Sequence, residues 1–331
     1  MKKALVVLLV LVVLVVGGGA LFYKVKSRPA QRPPSTETVE ITPARVQRGE
    51  YLARHVAACF ACHAKPDWTR YGGPPQGPPG AGGDCLQGKG IPGAICSPNI
   101  TPDKETGIGD WTDGEILRAM REGVDRDGNA LFPLMPYEEY SKMSDEDAKS
   151  IVAYLRSMPA VRYEAPRTHL NFPLKYFLRE VPKPLDGPVA EPNRSDPVQY
   201  GQYLTYIGIC KFCHSPVDQK HQYIAGKEFS GGHPLVGQWG RVVSANLTSH
   251  ETGLGNRTKA EFIGTFRGFS DPSTAPKVKD GHNTGMPWWS YSGMTDEDLG
   301  AIYDYLRSLP PVENRVDKWP PPPAPEKKEG A

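Results

Sequence analysis

Cys59-Phe60-Ala61-Cys62-His63 and Cys210-Lys211-Phe212-Cys213-His214 are two copies of Cys-x-x-Cys-His in one 331-residue chain. Each is followed by Met-Pro at a fixed distance. His63 to Met135 is 135 − 63 = 72 positions, and His214 to Met286 is 286 − 214 = 72. Two thiols and an adjacent imidazole at this spacing form the attachment site of a c-type haem. The thiols bond the porphyrin, the histidine takes one axial face of the iron, and a thioether on the other face completes the His/Met set that raises the potential of electron carriers. The spacing predicts covalent haem on Cys59 and Cys62 and on Cys210 and Cys213. It also predicts axial ligands His63 with Met135 and His214 with Met286, two haems c in all, and no catalytic residue.

A Cys-x-x-Cys pair can also be half of a zinc site or a redox dithiol. The cysteines left over, Cys85 and Cys96, lack knuckle-like spacing, and no βαβ alternation surrounds either motif. The internal repeat decides for haem. Met143-Ser144-Asp145-Glu146-Asp147 recurs 151 residues later as Met294-Thr295-Asp296-Glu297-Asp298, and the stretch 151–159 recurs as 302–310. Asn99-Ile100-Thr101 answers to Asn246-Leu247-Thr248.

Each half therefore offers two methionines at matched positions, and local context separates them. Ser144 and Thr295 read as helix N-caps, with Asp147 and Asp298 three residues on. That makes Met143 and Met294 apolar staples on the first turn. Met135 and Met286 lie in Gly- and Pro-rich loops beside Pro136 and Pro287, where a thioether is free to reach iron.

Helices must hold these groups. The pattern predicts one over 43–58 leading into the first motif and its counterpart over 197–209. Capping boxes start helices at Thr112 with Glu115 and at Thr258 with Glu261. Last helices show Ala148, Ile151, Val152, Leu155 and Leu299, Ile302, Tyr303, Leu306 at helical spacing. Strand-like alternation is scarce. The expected fold is all-α: two tandem cytochrome c domains preceded by a single transmembrane helix. The predicted divisions are an anchor over 1–24, a linker over 25–43, domain 1 over 44–160, a Pro-rich linker over 161–196, domain 2 over 197–312 and a Pro-rich tail over 313–331.

The anchor is expected because Lys2 and Lys3 precede an uncharged run from Ala4 to Tyr23, about 30 Å as a helix. A cleaved signal, cut near Gly18-Gly19-Ala20, is the rival. Because thiols are joined to c-type haem outside the cytoplasmic membrane, the expectation is a single-pass protein of the bacterial cytoplasmic membrane with its haem domains in the periplasm. Six cysteines less four on haem leave Cys85 and Cys96, predicted to form a disulfide in such an oxidising compartment. Hydrophobic residues make up only 39% of the chain, alongside 35 Gly and 34 Pro, so a haem would have to supply apolar surface to each small core. A net charge of +2 argues against nucleic acid as a partner.

The run from Asn99 to Glu115, with Leu134-Met135-Pro136-Tyr137 and the helix ending Tyr154-Leu155-Arg156-Ser157, resembles the cytochrome c subunits of membrane-bound bacterial alcohol and gluconate dehydrogenases. The likeness covers most of 45–312. It implies the same haem-bearing cysteines, the same histidines and the methionine before proline as distal ligand. Those subunits typically carry three haems, where this chain has motifs for two. The expected membrane-length anchor is a second departure from those subunits, and the reading is a membrane-tethered carrier of single electrons on the periplasmic side, between a quinol-linked or dehydrogenase donor and a soluble cytochrome or terminal oxidase. A dihaem peroxidase is the alternative; it needs one iron with a releasable face, and equal Met spacing in both halves speaks against that. His55, His169, His221, His233, His250 and His282 remain as alternative ligands, none at equivalent places in both halves.

Overall fold

A computed structural model describes residues 2–26, 28–88, 91–218 and 222–320. His221 and the tail from 321 onward lie outside the described residues. Helix α1 (Lys2–Lys26) is followed by extended chain and then by the first half, which comprises α2 (Pro43–Tyr51), α3 (Cys59–His63), α4 (Asp113–Glu122), α5 (Tyr137–Tyr140) and α6 (Asp145–Ser157). A short α7 (Leu174–Phe177) lies in the connection. The second half repeats the plan with α8 (Pro197–Ile207), α9 (Cys210–His214), α10 (Lys259–Arg267), α11 (Trp288–Tyr291) and α12 (Asp296–Ser308).

Two expectations need correction. The halves are not all-α. Strands β1 (Lys65–Pro66) and β2 (Pro75–Gln76) pair, as do β3 (Cys85–Gln87) and β4 (Gly93–Cys96), with β5 (His169–Leu170) beside β4. In the second half β6 (Pro234–Gly237) pairs with β7 (Gly240–Val243). These ribbons are two to four residues long, too short for period-two alternation to show. The second correction concerns the membrane. Among the described residues no helix is long and apolar enough to cross one. The transmembrane helix over 1–24, the single-pass placement in the cytoplasmic membrane and the membrane as a partner through that helix are not supported.

Within each half the first helix crosses the last, α2 on α6 and α8 on α12. Both crossings are made at a glycine. A Cβ on Gly49 would sit 1.8 Å from the carbonyl oxygen of Ser150, and one on Gly201 would sit 1.9 Å from that of Ala301. The predicted capping boxes form at Thr112 with Glu115 and at Thr258 with Glu261. Ser144 and Thr295 accept hydrogen bonds from the amides of Asp147 and Asp298. In α6 the predicted apolar set is buried throughout; in α12 Tyr305 is buried where Tyr303 is only half-buried and donates to the Arg257 carbonyl.

The two helix pairs share one core, in which Leu52, Val56, Ile151 and Val152 meet Leu204, Ile207, Leu299 and Leu306. The halves are also tied by a reciprocal pair of hydrogen bonds. Tyr51 on α2 donates to Asp298 on α12 at 2.6 Å, and Tyr203 on α8 donates to Asp147 on α6 at 2.6 Å. Burial holds both phenols above their ordinary pKa, so they remain donors.

Helix α2 is shorter than predicted. After Tyr51 the chain widens into a π turn over Leu52–Val56. From Leu52 to Cys59 is 59 − 52 = 7 positions, whereas Leu204 to Cys210 is 210 − 204 = 6. The first half carries one extra residue, and the π turn absorbs it.

Cys85 and Cys96 face each other across β3 and β4 and form the predicted disulfide, closing a loop of sequence separation 11. Loop-closure entropy gives a bond of this span about 3 kcal/mol. Replacing both cysteines by serine is expected to lower chemical-denaturant stability by that order, read from the unfolding midpoint; an unchanged midpoint would assign the hairpin's stability to Thr168, which brackets Cys96 through both its amide and its carbonyl.

Candidate haem sites

The residue before each motif stands in the left-handed region: Ala58 at φ 49° and Ile209 at φ 51°. For a β-branched residue such as Ile209 that conformation is strained. It recurs at the same place in both halves and turns the chain sharply from the first helix into α3 or α9. The one-turn helix then carries both cysteines and the histidine of its motif.

The histidines share one geometry. His63 Nδ1 lies 2.8 Å from the Pro98 carbonyl and His214 Nδ1 lies 2.8 Å from the Ala245 carbonyl. Both rings are buried, and that burial pulls their pKa values below the usual imidazole range. A neutral ring donating from Nδ1 carries its free lone pair on Nε2, which is the nitrogen an axial ligand needs. Burial pushes the thiols of Cys59, Cys210 and Cys213 up to about 12, and the nearby Cys62 adds to the effect on Cys213. Thiols held protonated are the reverse of a reactive dithiol. The influence of Cys62 on Cys213 also brings the two motif helices near each other at the junction of the halves.

Met135 and Met286 are half-buried against the shared core, each followed by proline and then by the short α5 or α11. The amide of Met286 donates to Thr284 Oγ1 at 3.1 Å. Met143 and Met294 are 0% and 3% exposed, packed as apolar residues ahead of α6 and α12. Tyr140 at the end of α5 donates to the Ala57 carbonyl at 2.7 Å, and Tyr291 at the end of α11 donates to the Gly208 carbonyl at 2.6 Å. Each methionine loop is thereby fastened to the turn that precedes its own Cys-x-x-Cys-His. Those tyrosines give no sequence signal beyond a repeat offset of 151.

Three of the alternative histidines have ring partners: His55 Nδ1 meets the Ser290 carbonyl, His250 Nδ1 meets Thr252 Oγ1, and His282 stacks on Trp319. His169 lies in β5, and the backbone amide of His233 donates to Ser244. Among the described residues no group of three or more His, Cys, Asp or Glu could hold a metal ion unaided. The residues present fit a haem instead. Trp239 and Trp288, around the second site, also keep buried indole N–H groups with no protein acceptor, as donors held for an anionic group would.

Cys-x-x-Cys-His helices, carbonyl-bound histidines and Tyr-fastened methionine loops thus recur in the two halves. The resemblance read from the motifs holds over most of the chain's length. The chain is 33% identical over 292 residues to the alcohol dehydrogenase (quinone) cytochrome c subunit of Gluconacetobacter polyoxogenes, covering 83% of this chain and 58% of that one. It is 33% identical to the gluconate 2-dehydrogenase cytochrome c subunit of Pantoea cypripedii, covering 80% and 60%. A diheme cytochrome c-type protein of Cereibacter sphaeroides is 28% identical, covering 80% of this chain and 86% of its own length. The chain spans 52–60% of the length of the alcohol, gluconate and fructose dehydrogenase cytochrome subunits it matches. No protein-family model matches it.

Proposed function

We propose that this chain is a dihaem c-type cytochrome that passes single electrons and catalyses no reaction of its own. Cys59 with Cys62 and Cys210 with Cys213 would hold the two porphyrins, and His63 with Met135 and His214 with Met286 would ligate the two irons. Held so, haem would supply one-electron redox chemistry. The haem-bearing units run over 44–160 and 197–312, joined by the linker over 161–196 and preceded by the linker over 25–43. By likeness to the named relatives, the donor is a dehydrogenase whose catalysis resides in another chain, and the acceptor is a downstream cytochrome or oxidase. The observation that carries this reading is the recurrence of one whole arrangement: left-handed residue, motif helix, carbonyl-bound histidine and Tyr-fastened methionine loop.

The protein's work is to keep iron and ligands still during electron exchange. Backbone carbonyls orient the two imidazoles. The tyrosine bonds fix each methionine loop against its motif. The test is haem stoichiometry together with optical redox titration of the full chain and of Met135→Ala and Met286→Ala. Two haems per chain are expected, and each substitution removes about half of the methionine-to-iron charge-transfer absorbance and lowers one of two potentials. Rapid peroxide turnover, or a methionine band that survives both substitutions, would overturn the reading.

A further inference from the structure

The loop after the first motif does not stay in its own half. Residues 69–71 run antiparallel to 276–278 of the second half: the Tyr71 amide donates to the Pro276 carbonyl at 2.8 Å and the Val278 amide to the Thr69 carbonyl at 2.9 Å. Arg70 adds bonds to the carbonyls of Ser273 and Ala275. Tyr71 stacks on Phe269, which stacks in turn on Trp288, two residues past Met286. Trp289 donates its indole N–H to the Tyr71 carbonyl at 3.2 Å, and Trp68 packs on Trp239.

These contacts converge on Asn283, three residues before Met286 and 2% exposed. Its Oδ1 accepts from the Gly72 amide at 2.9 Å and from the Thr284 amide at 2.8 Å, while its Nδ2 donates to the Trp68 carbonyl at 3.2 Å. Its own carbonyl accepts from the Trp319 indole. The position three before Met135 is Phe132, so among the described residues no asparagine stands at this place in the first half; in the second half's loop Val217 pairs with Tyr223, whose phenol interacts with Glu139 of α5.

We propose that the strap from Trp68 to Gly73 of the first half sets the rigidity of the Met286 loop, so that ligand exchange at the second iron is governed by residues of the other half. Tyr71, Gly72 and Asn283 are positioning residues: they touch neither ligand nor iron but fix the segment from which Met286 projects. The inference rests on the ligation proposed above.

The experiment measures cyanide displacement of methionine from the ferric, haem-loaded full chain, with the Met135→Ala background used to isolate the second site and the Met286→Ala background the first. Tyr71→Leu, a change wholly within the first half, and Asn283→Ala are each expected to speed displacement at the second haem about tenfold, the effect of losing one or two buried contacts. Displacement at the first haem is expected to be unchanged, and Tyr71→Phe, which keeps the stacked ring, to stay near the parent rate. Equal acceleration at both haems, or none at either, would overturn the strap. Should Asn283→Ala fail to fold, Tyr71→Leu still decides. A methionine band untouched by Met286→Ala would instead reject the ligation itself.

Discussion

Asp147→Ala is expected to be the most destabilising single substitution outside the haem-binding residues, at about 3 kcal/mol. The carboxylate is 2% exposed and accepts three hydrogen bonds: two from Arg48, at 2.8 and 2.9 Å, and one from Tyr203 at 2.6 Å. Removing it strands a half-buried guanidinium and a buried phenol together, and breaking a buried pair from one side typically costs about 3–5 kcal/mol. The lower end applies because Arg48 retains some solvent contact. Asp298 is the internal control. It receives the Tyr51 phenol, but the position equivalent to Arg48 in the second half is Tyr200, so no bidentate guanidinium is present. Asp298→Ala should therefore cost only about 1–2 kcal/mol, the price of one hydrogen bond to a charged group. Denaturant titration of both variants checks the order; a larger loss at Asp298 would show that Arg48 contributes nothing.

Gly201→Ala and Gly49→Ala are expected to destabilise by about 2 kcal/mol each. Alanine is the better helix former by about 1 kcal/mol, so on propensity alone either change would help. The crossing reverses the sign. The new methyl would lie 1.9 Å from the Ala301 carbonyl oxygen or 1.8 Å from that of Ser150, and main chain cannot rotate aside as a side chain can. Separating the helices enough to admit it costs about 3 kcal/mol, at the upper end of overpacking. For a folded unit of this size the melting temperature should fall by roughly 4–8 °C. Circular dichroism melts would show it, and a stabilised Gly201→Ala would mean that the two helices part freely.

What could be read in the sequence was what repeats or caps. Both capping boxes, both N-caps, the disulfide and the first and last helices of each half follow from local chemistry, and local chemistry survives folding. The β-ribbons were missed because Gly93–Cys96 and Gly240–Val243 are held by cross-strand partners that no short window contains. The anchor was inferred from length and apolarity alone, and the described helices do not sustain it. The crossed Tyr–Asp bonds were hidden for another reason: Asp147 and Asp298 fit a capping role so well that their carboxylates seemed already spent. The structure gives the cap to Ser144 and Thr295, turns the Asp298 carboxylate to Tyr51 of the opposite half, and shares the Asp147 carboxylate between Arg48 of its own half and Tyr203 of the other.

The π turn at Leu52–Val56 bears on how the duplicated halves diverged. Adding one residue to an α-helix rotates everything beyond it by about 100°, which would have swung the first Cys-x-x-Cys-His out of the orientation held by the second. Widening a single turn takes up that rotation locally, so Cys59, Cys62 and His63 keep the orientation of Cys210, Cys213 and His214. A one-codon insertion directly upstream of an iron site could thus enter one copy of the gene repeat and persist, leaving the chemistry of that copy intact while its partner kept the shorter helix.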